Sequence, residues 1–192
     1  WSKALDAEWT FEKGLLYPLV SGTDVSGYSD LPKRQYILFP YNVENEKAIL
    51  IDFDALLKYY PQTAQYLLEN QKTLEERERG KFRDKAWYRF GRNQNLSIQQ
   101  RIKLCVPRLV EELYAAYDVN GDYFLDNVDV GGITLKFGYQ HYQLTFLLAL
   151  LNSRLLKWYF PYVSAPFRGG WLSANRQFLS QLPICTVDFI DR

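Results

Sequence analysis

Methionine is absent from the 192-residue chain, histidine occurs once and cysteine twice. Each shortage removes a class of chemistry. His141 has no second histidine or thiolate cluster near it, so it does not make a metal site, and before an apolar helix it reads as structural. Cys105 and Cys185 lie far apart in apolar runs without CxxC spacing. They read as small buried hydrophobes in a reducing compartment, which places the chain in the cytoplasm. The longest apolar stretch, around 144–151, is too short to span a bilayer, and no signal peptide is visible, so no membrane partner is expected. GxSxG, GxxxxGK[ST] and GxGxxG are all missing. Nothing assembles a nucleophile, a base and an orienting group, so no catalytic, cofactor-binding or metal-binding residue is expected. With Trp1 first and no methionine anywhere, the chain reads as a fragment of a longer parent.

Residues 1–192 have the size and apolar content of a single domain. A net charge of +1 hides an asymmetry. Residues 77–108 carry ten Lys and Arg against two acids, a net of +8, while the rest of the chain carries 13 basic and 20 acidic residues, a net of −7. A local cation on an acidic body points to a polyanion; a solvated helix face is the plainer reading, and it suits the first half, LEERERGKFRDK.

Inside this window, KAWYRFGRNQN (85–95) holds three aromatic rings, two arginines and three amides. Arg89 and Arg92 have the fork that fits phosphate or the guanine O6/N7 edge, and no local acid is expected to pair them. Asn93 and Gln94 match adenine N6/N7. Trp87 and Tyr88 could stack on an unpaired base or wedge against sugars, although Trp87 and Phe90 also have the size of core residues.

Strands are expected in GLLYPLV, in KRQYILFPY up to Pro40, and in AILIDF, with NVENEK as a turn. Residues 54–79 have helical spacing, with two helices meeting at Pro61 and the second ended by Gly80. RIKLCVPRLV (101–110) reads as a strand at an edge or bulge because of Pro107. Asn120-Gly121 between aromatic runs predicts a two-residue hairpin. DVNGDYFLD has its glycine at the fourth place, where a calcium loop needs the sixth, so the hairpin is preferred to calcium. GGITLKF extends the sheet. Residues 142–160 predict one long, largely buried helix, and 172–184 a short one capped by Ser173 and stopped by Pro183. FRGGW (167–171) reads as a mobile loop from which Arg168 could reach a duplex.

Taken in order, LLYPLVSGTDVSGY…YILFPY, YYPQTAQYLLENQKTLEERE, WYRFGRNQN, IKLCVPRL, DYFLDNVDVGGITL, LLALLNSRLLKWYF and FLSQLPI resemble the target-recognition domain at the C-terminal end of adenine-specific DNA methyltransferases, of the TaqI-like specificity kind. The resemblance runs from about residue 14 to residue 185. It implies an α+β fold in which a curved, mostly antiparallel sheet is flanked by helices, with a long buried C-terminal helix. It also implies double-stranded DNA as partner, read while a catalytic domain of the same parent flips an adenine and methylates its N6 from S-adenosylmethionine. The parent would be a bacterial restriction-modification enzyme, with methylation alone or fused to a type II endonuclease. The methyltransferase tetrad Asn/Asp-Pro-Pro-Tyr/Phe is absent here, so activity and cofactor would belong to the rest of the parent. Carried over residue by residue, WYRFGR, VPR and LPKR give Trp87, Tyr88, Arg89, Arg92, Arg108, Lys33 and Arg34 as DNA contacts, beside Asn93, Gln94 and Arg168. Two other classes remain open: a single-stranded RNA module stacking bases on Trp87, Tyr88 and Tyr59, and a protein-interaction domain whose aromatic surface is the interface.

Overall fold

A computed structural model describes residues 1–136 and 141–184, with the side chains of His141 and Tyr142 left aside. Helices and small sheets are mixed along the chain, an α+β fold. Two compact units divide it: residues 1–17 with 36–99, and 18–35 with 100–192. The chain passes between them inside β1 (Leu16–Val20) and at the start of β2 (Gln35–Leu38).

In the first unit, β3 (Tyr41–Glu44) and β4 (Lys47–Leu50) form an antiparallel hairpin. Its two-residue turn, Asn45-Glu46, has positive φ at both positions, the twist that a tight hairpin requires. Sequence reading placed a turn here but missed the strand leading into it. Asp52 stands at the N-cap position of α1 (Phe53–Tyr59), and Pro61 opens α2 (Pro61–Glu69) at its first turn, as its missing N–H favours. The expected continuation to Gly80 is broken into α3 (Gln71–Glu75) and a distorted turn, α4 (Arg77–Gly80). The Asn70 side chain donates to the Tyr66 carbonyl (2.8 Å), and Glu78 and Arg79 are left-handed. Both features interrupt the helical ladder. Leu15, Leu56, Ala64, Leu67, Trp87 and Tyr88 form this unit's core.

In the second unit, β5 (Lys103–Pro107) is the middle strand of a three-stranded sheet. It pairs antiparallel with β7 (Ala116–Asp118) and β9 (Val130–Ile133), so the edge placement suggested by Pro107 is corrected. Proline is tolerated because it is the last residue of the strand. The chain then forms β6 (Leu109–Val110), paired with β10 (Leu172–Ser173). The second half of β1 pairs in parallel with β8 (Phe124–Leu125).

The expected Asn120-Gly121 hairpin does not form, since β7 and β8 pair with different strands. The buried Asp118 carboxylate explains the detour. It accepts the backbone N–H groups of Asp122 and Tyr123 and an ion pair from Lys103. This bends the chain away instead of folding it back. Gly121 has φ +74°, and a Cβ there would collide with the Gln100 carbonyl oxygen, so glycine fits for both reasons.

The long C-terminal helix is also two: α5 (His141–Leu151) and α6 (Arg154–Val163). At the end of α5 the Asn152 backbone N–H still donates to the Leu148 carbonyl (3.1 Å), while its side chain holds Ala115, accepting from its N–H (3.2 Å) and donating to its carbonyl (3.0 Å). Ser153 then caps α6 by accepting from the Leu156 N–H. Nor is the second half buried all round, for Leu155, Trp158 and Tyr162 are exposed. The last helix, α7 (Arg176–Leu179), is preceded by Asn175 at its cap position, while Ser173 belongs to β10. Two clusters, one around Leu104, Leu113, Leu144 and Phe160 and another around Val20, Cys105 and Val130, fill this unit. Among the described residues the strands fall into four sheets of two or three strands, where one curved sheet was expected. Apart from β1–β8, the registered pairs are antiparallel. Cys185 and the end of GGITLKF lie outside the described residues.

Candidate functional site

The basic window is divided between the two units at Gln99 and Gln100, and each part is described within its own unit. The first-unit part is organised by Arg77. Its guanidinium donates to the carbonyls of Leu74 (2.8 Å), Trp87 (2.8 Å) and Arg89 (2.9 Å). Three carbonyls satisfied by one fork pin the 87–89 backbone onto the end of α3. Two guanidinium groups approach the Phe82 ring, that of Arg77 at 4.3 Å from its centre and that of Arg89 at 4.6 Å. Burial, followed by the neighbouring Arg89 charge, lowers the Arg77 pKa from its usual range.

Arg89 also donates to Asp84 (2.5 Å) and to the Ala86 carbonyl. The expectation that no local acid pairs the two arginines is therefore corrected for Arg89. That hydrogen bond holds the Asp84 carboxyl below its ordinary range. Arg92, Asn93 and Gln94 are exposed. A cavity of about 490 Å³ opens beside them, with Tyr41, Phe82 and Phe90 on its apolar side and Lys81, Arg89 and Asn93 on its polar side.

Trp87 and Tyr88 are only 6% and 5% exposed. Their rings pack on each other and on Phe53, and the Tyr88 hydroxyl donates to the Ile51 carbonyl (2.6 Å). Burial, with the Asp52 charge next, pushes the Tyr88 phenol up to about 12. These rings are core, and stacking on a base or wedging against sugars is corrected for both. The physical reason is that large flat side chains beside a short loop stabilise a unit more by burial than by exposure.

In the second unit, Lys33 and Arg34 are exposed. The Lys33 ammonium sits 6.0 Å from the Tyr123 ring centre, and Arg34 approaches Asp24 at 3.9 Å. Arg168 is exposed in a tight loop closed by the Phe167 N–H on the Trp171 carbonyl (2.6 Å). Lys103, counted in the basic window, is withdrawn from the surface: it pairs with Asp118 at 2.6 Å, with both side chains 2% exposed.

Arg108 is half-buried and anchored at three points. Its N–H donates to the Asp129 carbonyl (2.7 Å), its carbonyl accepts from Ala174 (2.8 Å), and its Nη1 donates to Asn175 Oδ1 (3.1 Å). Asn175 in turn donates to Ser173 Oγ (2.7 Å). An open cavity of about 660 Å³ adjoins this group, lined by Arg108, Asn175, Arg176, Gln177 and Ser180. Sequence reading passed over Asn-Arg-Gln at 175–177, although it offers the same cation and amides as Arg92-Asn93-Gln94.

The model of the TaqI-like C-terminal specificity domain matches residues 17–184. This chain belongs to that family. Among curated relatives, the specificity domain is 26% identical over 205 residues to the type II restriction enzyme and methyltransferase RM.Eco57I of Escherichia coli. That match covers 96% of the chain and 20% of the relative, so the specificity domain spans about a fifth of the relative's length. No helix among the described residues is long and apolar enough to cross a membrane.

Proposed function

We propose that this specificity domain reads double-stranded DNA and positions a target adenine for N6 methylation by a catalytic domain in the same, longer cytoplasmic protein. The single observation that carries this reading beyond the family is the exposed Arg92-Asn93-Gln94 run beside a cavity with cationic and amide lining. A guanidinium fork and two primary amides are the groups that pair with phosphate oxygens and purine edges. Arg34 and Arg168 in the second unit add exposed cations, and Lys33 and Arg108 complete the set of proposed contacts. In this reading methyl transfer, and the S-adenosylmethionine it consumes, belong to the catalytic domain, with cleavage as a further activity of the parent. This chain's role is register and specificity. Base stacking on single strands loses two of its three rings, because Trp87 and Tyr88 are buried and of the three Tyr59 alone is exposed. A protein-contact role is the second reading, and it rests on Leu155, Trp158 and Tyr162, exposed along α6.

The test is affinity for a labelled random-sequence duplex at low and at near-physiological salt. Binding that falls steeply with salt and exceeds binding to the single strands is expected. Arg92→Ala weakens it more than Lys3→Ala, although both positions are exposed. Equal affinities for the two variants would remove Arg92 from the interface. Binding that ignores salt favours the protein-contact reading.

A further inference from the structure

Phosphates and base edges make different demands on an arginine. A phosphate is present at every step of any sequence, and a mobile surface cation satisfies it. Reading a guanine edge requires the fork to be held in place before the DNA arrives. The cavity at Arg108 offers both kinds of side chain. Arg108 is fixed by its backbone on both sides and by Asn175, which Ser173 orients. Arg108 Nη1 spends one of its two N–H groups on Asn175, so the guanidinium that lines the cavity keeps terminal donors for a ligand, while its unpartnered Nε is buried out of reach of DNA. Arg176 and Gln177, at the start of α7, line the same cavity and are exposed. Among the described residues that line the cavity the charged ones, Arg108 and Arg176, are both cations, which suits an electron-rich edge.

We infer that this cavity is a base-reading site of the second unit: Arg108 takes a guanine O6/N7 edge, Gln177 takes a neighbouring base edge, and Arg176 takes a backbone phosphate. Asn175 is a positioning residue that sets the Arg108 fork. The inference rests on the DNA-reading function proposed above, and it divides the arginines by role.

The experiment is selection of bound duplexes from a randomised library by the full-length protein, followed by affinities for the selected duplex and for single base-pair changes in it. Arg108→Lys keeps the charge and removes the fork. It is expected to lose roughly 5- to 150-fold on the selected duplex, and the loss disappears once one particular G·C pair has been replaced. Gln177→Ala, at an exposed position where folding is not at stake, alters the preference at a second pair. Arg176→Ala weakens selected and unselected duplexes alike and lowers the salt slope by about one. If Arg108→Lys and Gln177→Ala either leave binding unchanged or weaken every duplex by a common factor, the base-reading assignment is overturned while DNA binding stands. Wild-type protein that enriches no sequence overturns the DNA-reading function itself, and this inference with it.

Discussion

Lys103 shows how a charge that looks available in the sequence is used inside the fold. Its ammonium meets Asp118 at 2.6 Å with both side chains almost fully buried, and it also donates to the Arg101 carbonyl. Removing one partner of such a pair strands the other charge. Lys103→Met is therefore expected to cost about 3–5 kcal/mol in urea unfolding. Next to it, Cys105 is fully buried, and burial pushes its thiol up to about 12. A thiol held that high is protonated at pH 8 and is not nucleophilic. Iodoacetamide at pH 8 should leave Cys105 unmodified in the native protein and alkylate it in guanidinium, as read by peptide mass. Rapid native labelling would contradict its placement.

At the level of elements, polar side chains cut what apolar periodicity would join. Asn152 satisfies both backbone groups of Ala115 from the end of α5, and the extended Ser153 breaks the helix there and caps α6. Asn152→Ala leaves those groups without their partner and is expected to destabilise by about 1–3 kcal/mol. Amide exchange at Ala115 should accelerate correspondingly, and unchanged protection there would show that Asn152 is not its tether. In the first unit, Asn70 and Arg77 act similarly. One interrupts α2–α3, and the other gathers three carbonyls around the 87–89 turn.

For the whole molecule, the relevant quantity is which cations remain to meet a polyanion. Ten basic residues lie in the 77–108 window, and about 0.9 of a logarithmic unit of salt slope per neutralised phosphate would give a slope near −9 if all took part. Arg77 and Lys103 are committed internally, and Arg89 is shared with Asp84. The measured slope for duplex binding should therefore be clearly shallower than −9. Arg92→Ala is expected to reduce it by about one with little effect on stability. Lys103→Met should do the opposite, lowering stability and leaving the slope alone.

The class of fold and much of the helix and strand placement follow from short-range patterns along the chain. Pro61 opening α2, the acids at the head of α1 and the strands inside GLLYPLV and KRQYILFPY are local effects of ring geometry, charge at a helix start and apolar runs. Seven short motifs in order were enough for the family resemblance, which the match over residues 17–184 bears out. Tertiary structure alone decided the rest. Trp87 and Tyr88 became core, Lys103 found Asp118, Asn152 reached Ala115, and Asn120-Gly121 turned away from a hairpin. It also brought Arg108 beside Asn175, Arg176 and Gln177, 67 residues along the chain from Arg108 to Asn175. The physical reason is the same in each case. Burial and long-range hydrogen bonding depend on which surfaces meet, and composition and periodicity within a short window carry no record of that.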